Sequence, residues 1–291
     1  MLGGTRFFGK RLVERLLEDA DNDVTIVTRG NAADPFGERI HRIHMDRTNP
    51  EMLASAALNQ SWDIVYDNIC YSPDEAAAAC RIFEDRAKRY ILTSSLSVYD
   101  PRPEILTEDL FDPKAYPVRG GGRDDFSYQE GKRLAEAVFF QQAAFPVAAV
   151  RFPIVLGEDD YTKRLHFHIE HIRREEPVGI PNRQARISFI RSDEAADFLL
   201  WLGRSELTGP VNACSEGSFT INEMISIIEG AAGKKAVIRE KTADEHMSPF
   251  GIPQSWRMDT AKAQTAGFSF LTLADWFPEL VNVLNRTYDH N

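Results

Sequence analysis

Gly3-Gly4-Thr5-Arg6-Phe7-Phe8-Gly9 opens the chain, and the helix and strand directly after this turn decide the fold class. Residues 10–20 carry Leu12, Val13, Leu16 and Leu17 at helical spacing, and residues 24–27 are a β-branched run ended by Thr28-Arg29-Gly30. Turn, amphipathic helix and strand in that order predict a unit whose glycines let the backbone approach a pyrophosphate. The helix N-terminus then offers free amides and a positive dipole. Gly3 and Gly9 fit the outer positions; Arg6 stands at the middle one, where a side chain must swing out and can itself pair with a phosphate. A strand belongs before such a turn, at the centre of the sheet, yet only Met1 and Leu2 stand there, so a truncated first strand is expected.

Outward from this unit, residues 40–45 read as a short strand closed by Asp46, 62–66 and 90–93 as further strands, and 73–88 as an alanine-rich helix. A long helix begins near Tyr128, residues 147–152 are another strand, and 153–157 read as a loop. Alternation of strands and helices predicts a parallel sheet covered on both faces. The pattern then loosens: helix over 166–174, a strand at 189–190, helix over 193–202, a strand at 211–213 and a mostly helical tail from Thr220. The expected architecture is α/β, a Rossmann-type doubly wound parallel sheet formed by residues 1–156 with 188–215. A smaller, mainly helical substrate domain, residues 157–187 with 216–291, lies over the carboxyl ends of the strands, where open α/β sheets bind ligands.

Composition removes several classes. No apolar run approaches the roughly 20 residues of a membrane span and no leader pattern is present, so a cytoplasmic protein is expected. Cys70, Cys80 and Cys214 lack metal-type spacing and read as buried reduced thiols. A net charge of −10 makes a nucleic-acid partner unlikely. His166, His168 and His171 invite a metal reading, but helix positions two apart point away from each other and only the last two share a face, so no metal is expected. Arg119-Gly120-Gly121-Gly122-Arg123 lacks a leading strand and reads as a mobile active-site loop, or equally as a spacer.

Tyr128-Gln129-Glu130-Gly131-Lys132 puts a phenol and an ammonium on one helix face. A free phenol titrates near pH ~10, and a neighbouring cation favours its anion, so such a pair can move a proton. Alone it would be an exposed polar pair. It gains weight from the glycine turn and from Thr93-Ser94-Ser95 at the end of a strand upstream.

With these features in order, the chain resembles an extended short-chain dehydrogenase/reductase, the NAD-dependent epimerase/dehydratase family, nearly end to end. GGTRFFG resembles the family's GGTGFIG, SSLSVYD its SSSxxVYG, and YQEGKRLAE its YxxSKxxAE. Arg151-Phe152-Pro153 with Val155 and Gly157 resembles RPxxVxGP, FIRSDEAA resembles FIHVDDVA, and MDTAKAQTAGF resembles LDTSKAxxLGF. The resemblance implies Ser95, Tyr128 and Lys132 as the catalytic set, with Lys132 also on the nicotinamide ribose. It implies cofactor contacts from Gly3, Thr5, Arg6, Phe7, Phe8 and Gly9 in the turn, Asp46 on adenine with Arg47 beside it, Asn68, Phe152 and Pro153. Substrate contacts are implied for Ser95, Tyr99, Arg186 and Arg191. The chain departs from the pattern at Arg6, at Asp100 after Val98-Tyr99, and at Tyr66-Asp67-Asn68 in place of His-Leu-Ala.

The cofactor is expected to be NADP, with NAD as the other candidate. An NAD enzyme places a carboxylate on the ribose 2′-hydroxyl at the end of the second strand, but here Thr28 occupies that position and Arg29 offers a cationic fork to a 2′-phosphate. The resemblance implies hydride and proton exchange with a carbinol or ketone of a sugar nucleotide or related metabolite. Leu96-Ser97 after the catalytic hydroxyl, where dehydratases carry Asp-Glu, disfavours dehydration and leaves reduction and epimerisation open. The rival reading is a catalytically idle member that binds RNA or senses redox state. A homodimer through the Tyr128 helix is expected from the apolar Leu134, Ala135, Val138 and Phe139.

Overall fold

The computed structural model describes residues 1–57 and 60–288. Helix α1 (Phe7–Leu16) leads to β1 (Thr25–Thr28) and β2 (His41–His44), then α2 (Pro50–Ala57), β3 (Val65–Asp67), α3 (Pro73–Phe83) and β4 (Tyr90–Ser95). Next come α4 (Tyr128–Gln142), β5 (Val147–Phe152), β6 (Ile154–Leu156), α5 (Arg164–Arg174), β7 (Pro177–Gly179), β8 (Arg186–Ile187) and β9 (Phe189–Arg191). The chain closes with α6 (Ser192–Arg204), β10 (Gly209–Asn212), β11 (Phe219–Thr220), α7 (Ile221–Ala232), β12 (Val237–Arg239), α8 (Ala261–Thr265) and α9 (Leu273–Thr287).

Parallel pairing runs β2 to β1 on one side and β3, β4, β5, β10 on the other. Leu2 joins the halves, bridging Val27 on one flank and Asp67 on the other. Among the described residues, Leu2 is thus the single bridged residue between the two halves of the sheet. All these strands run parallel, but successive strands are added on one side of Leu2 and then on the other, which puts the switch point of this Rossmann-type sheet beside the glycine turn.

Each face of the sheet buries its own apolar cluster. Helices α3 and α4 cover one through Ala79, Phe83, Ala135, Val138 and Phe139. Helices α1 and α6 cover the other through Leu12, Ala195, Phe198 and Leu202, clasped at the edge by Arg15 Nε on Asp197 at 2.7 Å. A further core gathers α5, α7 and α9 around Phe189, Phe250 and Phe277. Helix starts are set locally: Ser72 accepts from the Glu75 amide ahead of Pro73, Ser127 accepts from the Glu130 amide, and Thr220 with Glu223 forms a capping box.

One expectation is corrected, and one loses the observation it was drawn from. The segment 153–157, read as a loop, contains β6, which pairs in parallel with β9; a three-residue apolar run between Pro153 and Gly157 has no periodicity to display, and its partner decides. Leu134, Ala135, Val138 and Phe139 are at most 1 % exposed within the monomer, so the apolar surplus that pointed to a dimer is absorbed by α3 and the sheet. Among the described residues no helix is long and apolar enough to cross a membrane.

His168, inside the helical core, hydrogen bonds through Nε2 to Ser248 Oγ at 2.7 Å and stacks on Phe250. Burial pushes its pKa from 6.5 down to about 3. The folded chain therefore keeps this ring neutral while the unfolded chain takes up a proton below about pH 6.5. Its contribution is complete above that pH and is lost as pH falls towards 3. Between pH 7 and 5 the loss should be about 2 kcal/mol, and urea midpoints of His168→Gln should show that part of the slope removed. Equal slopes for the two proteins would refute it.

Candidate active site

A cleft of ≈ 420 Å³ lies at the switch point, walled by the glycine turn, the ends of β1 and β2, Asn68, Ile69, Tyr71, Arg123 and Tyr161. The turn is built for close approach. Gly3 and Gly4 sit at φ +90° and +109°, and a Cβ at Gly9 would come within 3.1 Å of Asn68 Nδ2 and 3.4 Å of Gly4 Cα. Phe7 holds φ +50°, an uncommon state for a residue with a side chain, at the first turn of α1. Arg6 at the N-cap extends no side-chain bond to the helix amides, and its guanidinium lies 5.9 Å from the Tyr161 ring. The α1 N-terminus therefore faces the cleft without a capping side chain of its own.

Thr5, Arg6, Phe7, Phe8, Thr28, Arg29, Asp46, Arg47 and Asn68 all line this cleft. Asp46 accepts bonds from the hydroxyl and amide of Thr48, which hold its carboxyl below the ordinary range. Asn68 accepts from Thr93 Oγ1 at 2.6 Å, while its buried Nδ2 has no partner within the protein. An orphaned buried donor is costly, and here it faces the cleft beside the uncapped helix end. Glycines, amides, Arg29 and Asn68 together fit a dinucleotide. Phe152 and Pro153 are buried at the end of β5, with Phe152 edge-on to Phe8 at 5.8 Å.

Arg47 has a structural duty that its sequence position did not reveal. Only 4 % exposed, it pairs with Asp67 and, at 3.2 Å, with Glu75. Glu75 also takes the Tyr71 amide and Arg123, and Arg123 Nη2 reaches Ile69 O at 2.9 Å. The glycine loop read as mobile is pinned to the start of α3, with the Gly121 amide on Asp74 Oδ1 at 2.9 Å. Tyr71 lies between two cations, 4.7 Å from Arg123 and 4.4 Å from Lys132. Neither Tyr71 nor Glu75 belongs to a motif. The available signal was Gly131: a Cβ there would collide with the Tyr71 carbonyl.

Beyond Tyr71, Tyr128 starts α4 and is 55 % exposed, with its ring 6.1 Å from that of Tyr71. Lys132, one turn on, is only 2 % exposed and donates to Cys70 O at 2.8 Å and Thr93 O at 2.9 Å. Its Nζ is 5.8 Å from the centre of the Tyr128 ring. Ser95 closes β4 half-buried, its hydroxyl accepting the Ser97 amide at 3.1 Å.

Tyr99, expected on the substrate, is drawn into a buried network. It is 2 % exposed, and its hydroxyl accepts from Arg151 and donates to Asn212, each at 2.7 Å; like Ser95, Tyr128 and Lys132 it is not among the residues that wall the cleft. Arg186, in β8, donates to Ser218 O at 2.8 Å and stands 3.6 Å from Glu223; Arg191, ending β9, pairs with Asp193 at 2.6 Å.

No protein-family model matches the chain. UDP-glucuronic acid decarboxylases 5 and 3 of Arabidopsis thaliana are each 25% identical over 300 residues, covering 90% of this chain and 81% of the relative. Among solved structures, UDP-glucuronic acid 4-epimerase from Bacillus cereus with UDP-glucuronic acid and NAD aligns at TM-score 0.75 and 17% identity, covering 99% and 98% of the two chains. UDP-N-acetylglucosamine 4-epimerase from Methanobrevibacter ruminantium M1 with UDP-N-acetylmuramic acid aligns at 0.72 and 20%, covering 99% and 97%. The chain thus shares the Rossmann-type fold of these UDP-sugar 4-epimerases and is similar along nine-tenths of its length to UDP-glucuronic acid decarboxylases, the kinds of protein that its sequence motifs resemble.

Proposed function

We propose that the chain is a nicotinamide-dependent enzyme that reduces or epimerises a carbinol or ketone centre of a sugar nucleotide. Lys132 carries the proposal. It is a buried ammonium that, among the described residues, no ion pair neutralises; two backbone carbonyls use two of its three donors. An unpaired buried charge is costly, and a fold that keeps one 4.4 Å from the ring of Tyr71, a wall of the cleft, is spending stability on function. The third donor is available to a ribose hydroxyl.

When bound, the dinucleotide supplies hydride exchange. Ser95 holds the reacting oxygen, Tyr128 gives or takes its proton, and Lys132 fixes the ribose and keeps a positive charge beside the phenol. The relatives act on UDP-sugars by name, which supports a sugar nucleotide here. Incubation with UDP-glucuronic acid and UDP-glucose, with either dinucleotide, should yield an epimer or a change in nicotinamide absorbance. Absence of both products and of dinucleotide binding would sink the reading.

NADP is the cofactor we assign, although the Bacillus cereus neighbour was solved with NAD. Thr28 and Arg29 line the cleft with no carboxylate at the end of β1. A charge-assisted contact to the 2′-phosphate is worth about 1.5–3 kcal/mol, so Arg29→Ala should weaken NADP about 10–100-fold and leave NAD nearly unchanged. Tighter binding of NAD by the unaltered protein would overturn the assignment.

A further inference from the structure

We propose that His171, Glu176 and His246 bind one divalent transition-metal ion of the zinc class, which ties α5 to the turn before β7 and to the short helical turn at residues 244–246. This site lies in the helical region and is separate from the dinucleotide cleft. The three residues each offer one ligand atom, and these atoms all lie within 4.8 Å of one another. His171 Nε2 is 3.1 Å from His246 Nδ1 and 3.8 Å from Glu176 Oε2. Ligand atoms at Zn–N distances of 2.0–2.1 Å and a tetrahedral angle stand about 3.3 Å apart, so the donors already sit near the spacing an ion imposes.

The tautomer needed for binding is set by the fold. His171 Nδ1 lies 2.8 Å from Phe167 O, and a carbonyl there can only accept, so the proton belongs on Nδ1 and the Nε2 lone pair faces His246. A backbone carbonyl orienting the far nitrogen of a ligand histidine is the usual support for such a site. The backbones carrying the ligands are fastened independently: the Glu176 amide donates to His171 O at 2.9 Å and the His246 amide to Ala243 O at 3.0 Å. Shortly beyond His246, the Ser248 amide donates to Gly179 O at 2.9 Å. His171 is 8 % exposed, whereas Glu176 is open enough at 38 % side-chain exposure to admit an ion. Two imidazoles and one carboxylate suit zinc or cobalt, with water completing the coordination. His168, one turn before His171, is engaged with Ser248 and takes no part.

The ion would brace the segment C-terminal to His246. Within it, Ser255 and Trp256 flank Arg186: Ser255 Oγ accepts its amide at 3.0 Å, and the Trp256 amide donates to its carbonyl at 2.7 Å. The test is made on the full chain after dialysis against a chelator, with zinc titrated by calorimetry and cobalt by its visible absorption. The expected result is one ion per chain, a tetrahedral cobalt spectrum and a melting temperature raised by zinc. His246→Ala, on the partly exposed turn, and Glu176→Gln should each weaken binding by at least about 10-fold, and His246→Ala should abolish the melting shift. His171→Ala disturbs a buried position, so the other two variants carry the test. Failure of the unaltered protein to bind at about millimolar zinc, or equal binding by all variants, overturns the proposal.

Discussion

Tyr128→Phe is expected to lower turnover by about 10²–10⁴-fold while leaving dinucleotide affinity unchanged, because it deletes only the proton that must move with the hydride. Tyr128 is suited to this separation of effects. Its side chain is more than half exposed, makes no hydrogen bond that holds the fold among those described, and leaves Lys132 on its two carbonyls when the hydroxyl is removed. Lys132→Ala should fail differently. It removes a buried cation that lies against Tyr71 and Tyr128, so both affinity and turnover should fall. Dinucleotide titration beside steady-state rates separates the two variants, and full activity in Tyr128→Phe would refute the assigned mechanism.

Glu136→Gln should cost about 3–5 kcal/mol of stability, since it leaves Arg151 buried without its counter-charge. Both side chains are fully buried, and every donor of the Arg151 guanidinium is used. Nε and Nη2 reach the Glu136 carboxylate, Nη2 also reaches Phe111 O, and Nη1 donates to Tyr99 and to Glu108 O. Glu136 also accepts from Ser94, the residue before Ser95. The pair therefore locks the helix carrying Tyr128 and Lys132 onto the strand end carrying Ser95. Urea unfolding reads the loss as a shifted midpoint with an unchanged slope. Replacing both partners by apolar residues of similar volume, Glu136→Leu with Arg151→Met, should recover much of the loss; equal destabilisation by the single and double variants would show that the charge is not the cause.

The glycine turn, the β-branched strand and the Tyr128–Lys132 spacing were legible in the sequence because each is a local pattern with a local physical reason: positive φ at Gly3 and Gly4, a buried run of β-branched residues, and one turn of helix. The helices at 73–83 and 128–142 were legible for the same reason, being long, periodic and capped by Ser72 and Ser127. Short segments were not. Trp62, expected within a strand, makes only an isolated bridge to Ala87, with the paired run shifted to Val65–Asp67, and β6 carries no signal of its own. In both cases the neighbouring strand settles the matter, and its register is not written in three residues.

By itself, then, the sequence determined the alternating α/β order, the place of the cleft at the glycine turn and the residue types brought to it. Those come from periodicity, backbone permissiveness and spacing along one element. Only the tertiary structure decided that Arg47 pairs with Asp67 and Glu75 and that Tyr71 lies between Arg123 and Lys132. It alone withdrew Tyr99 into a network with Arg151 and brought His246 against His171. Each of these joins side chains far apart in the chain, and burial forces the pairing: a polar group removed from water must find its partner wherever the fold has put one.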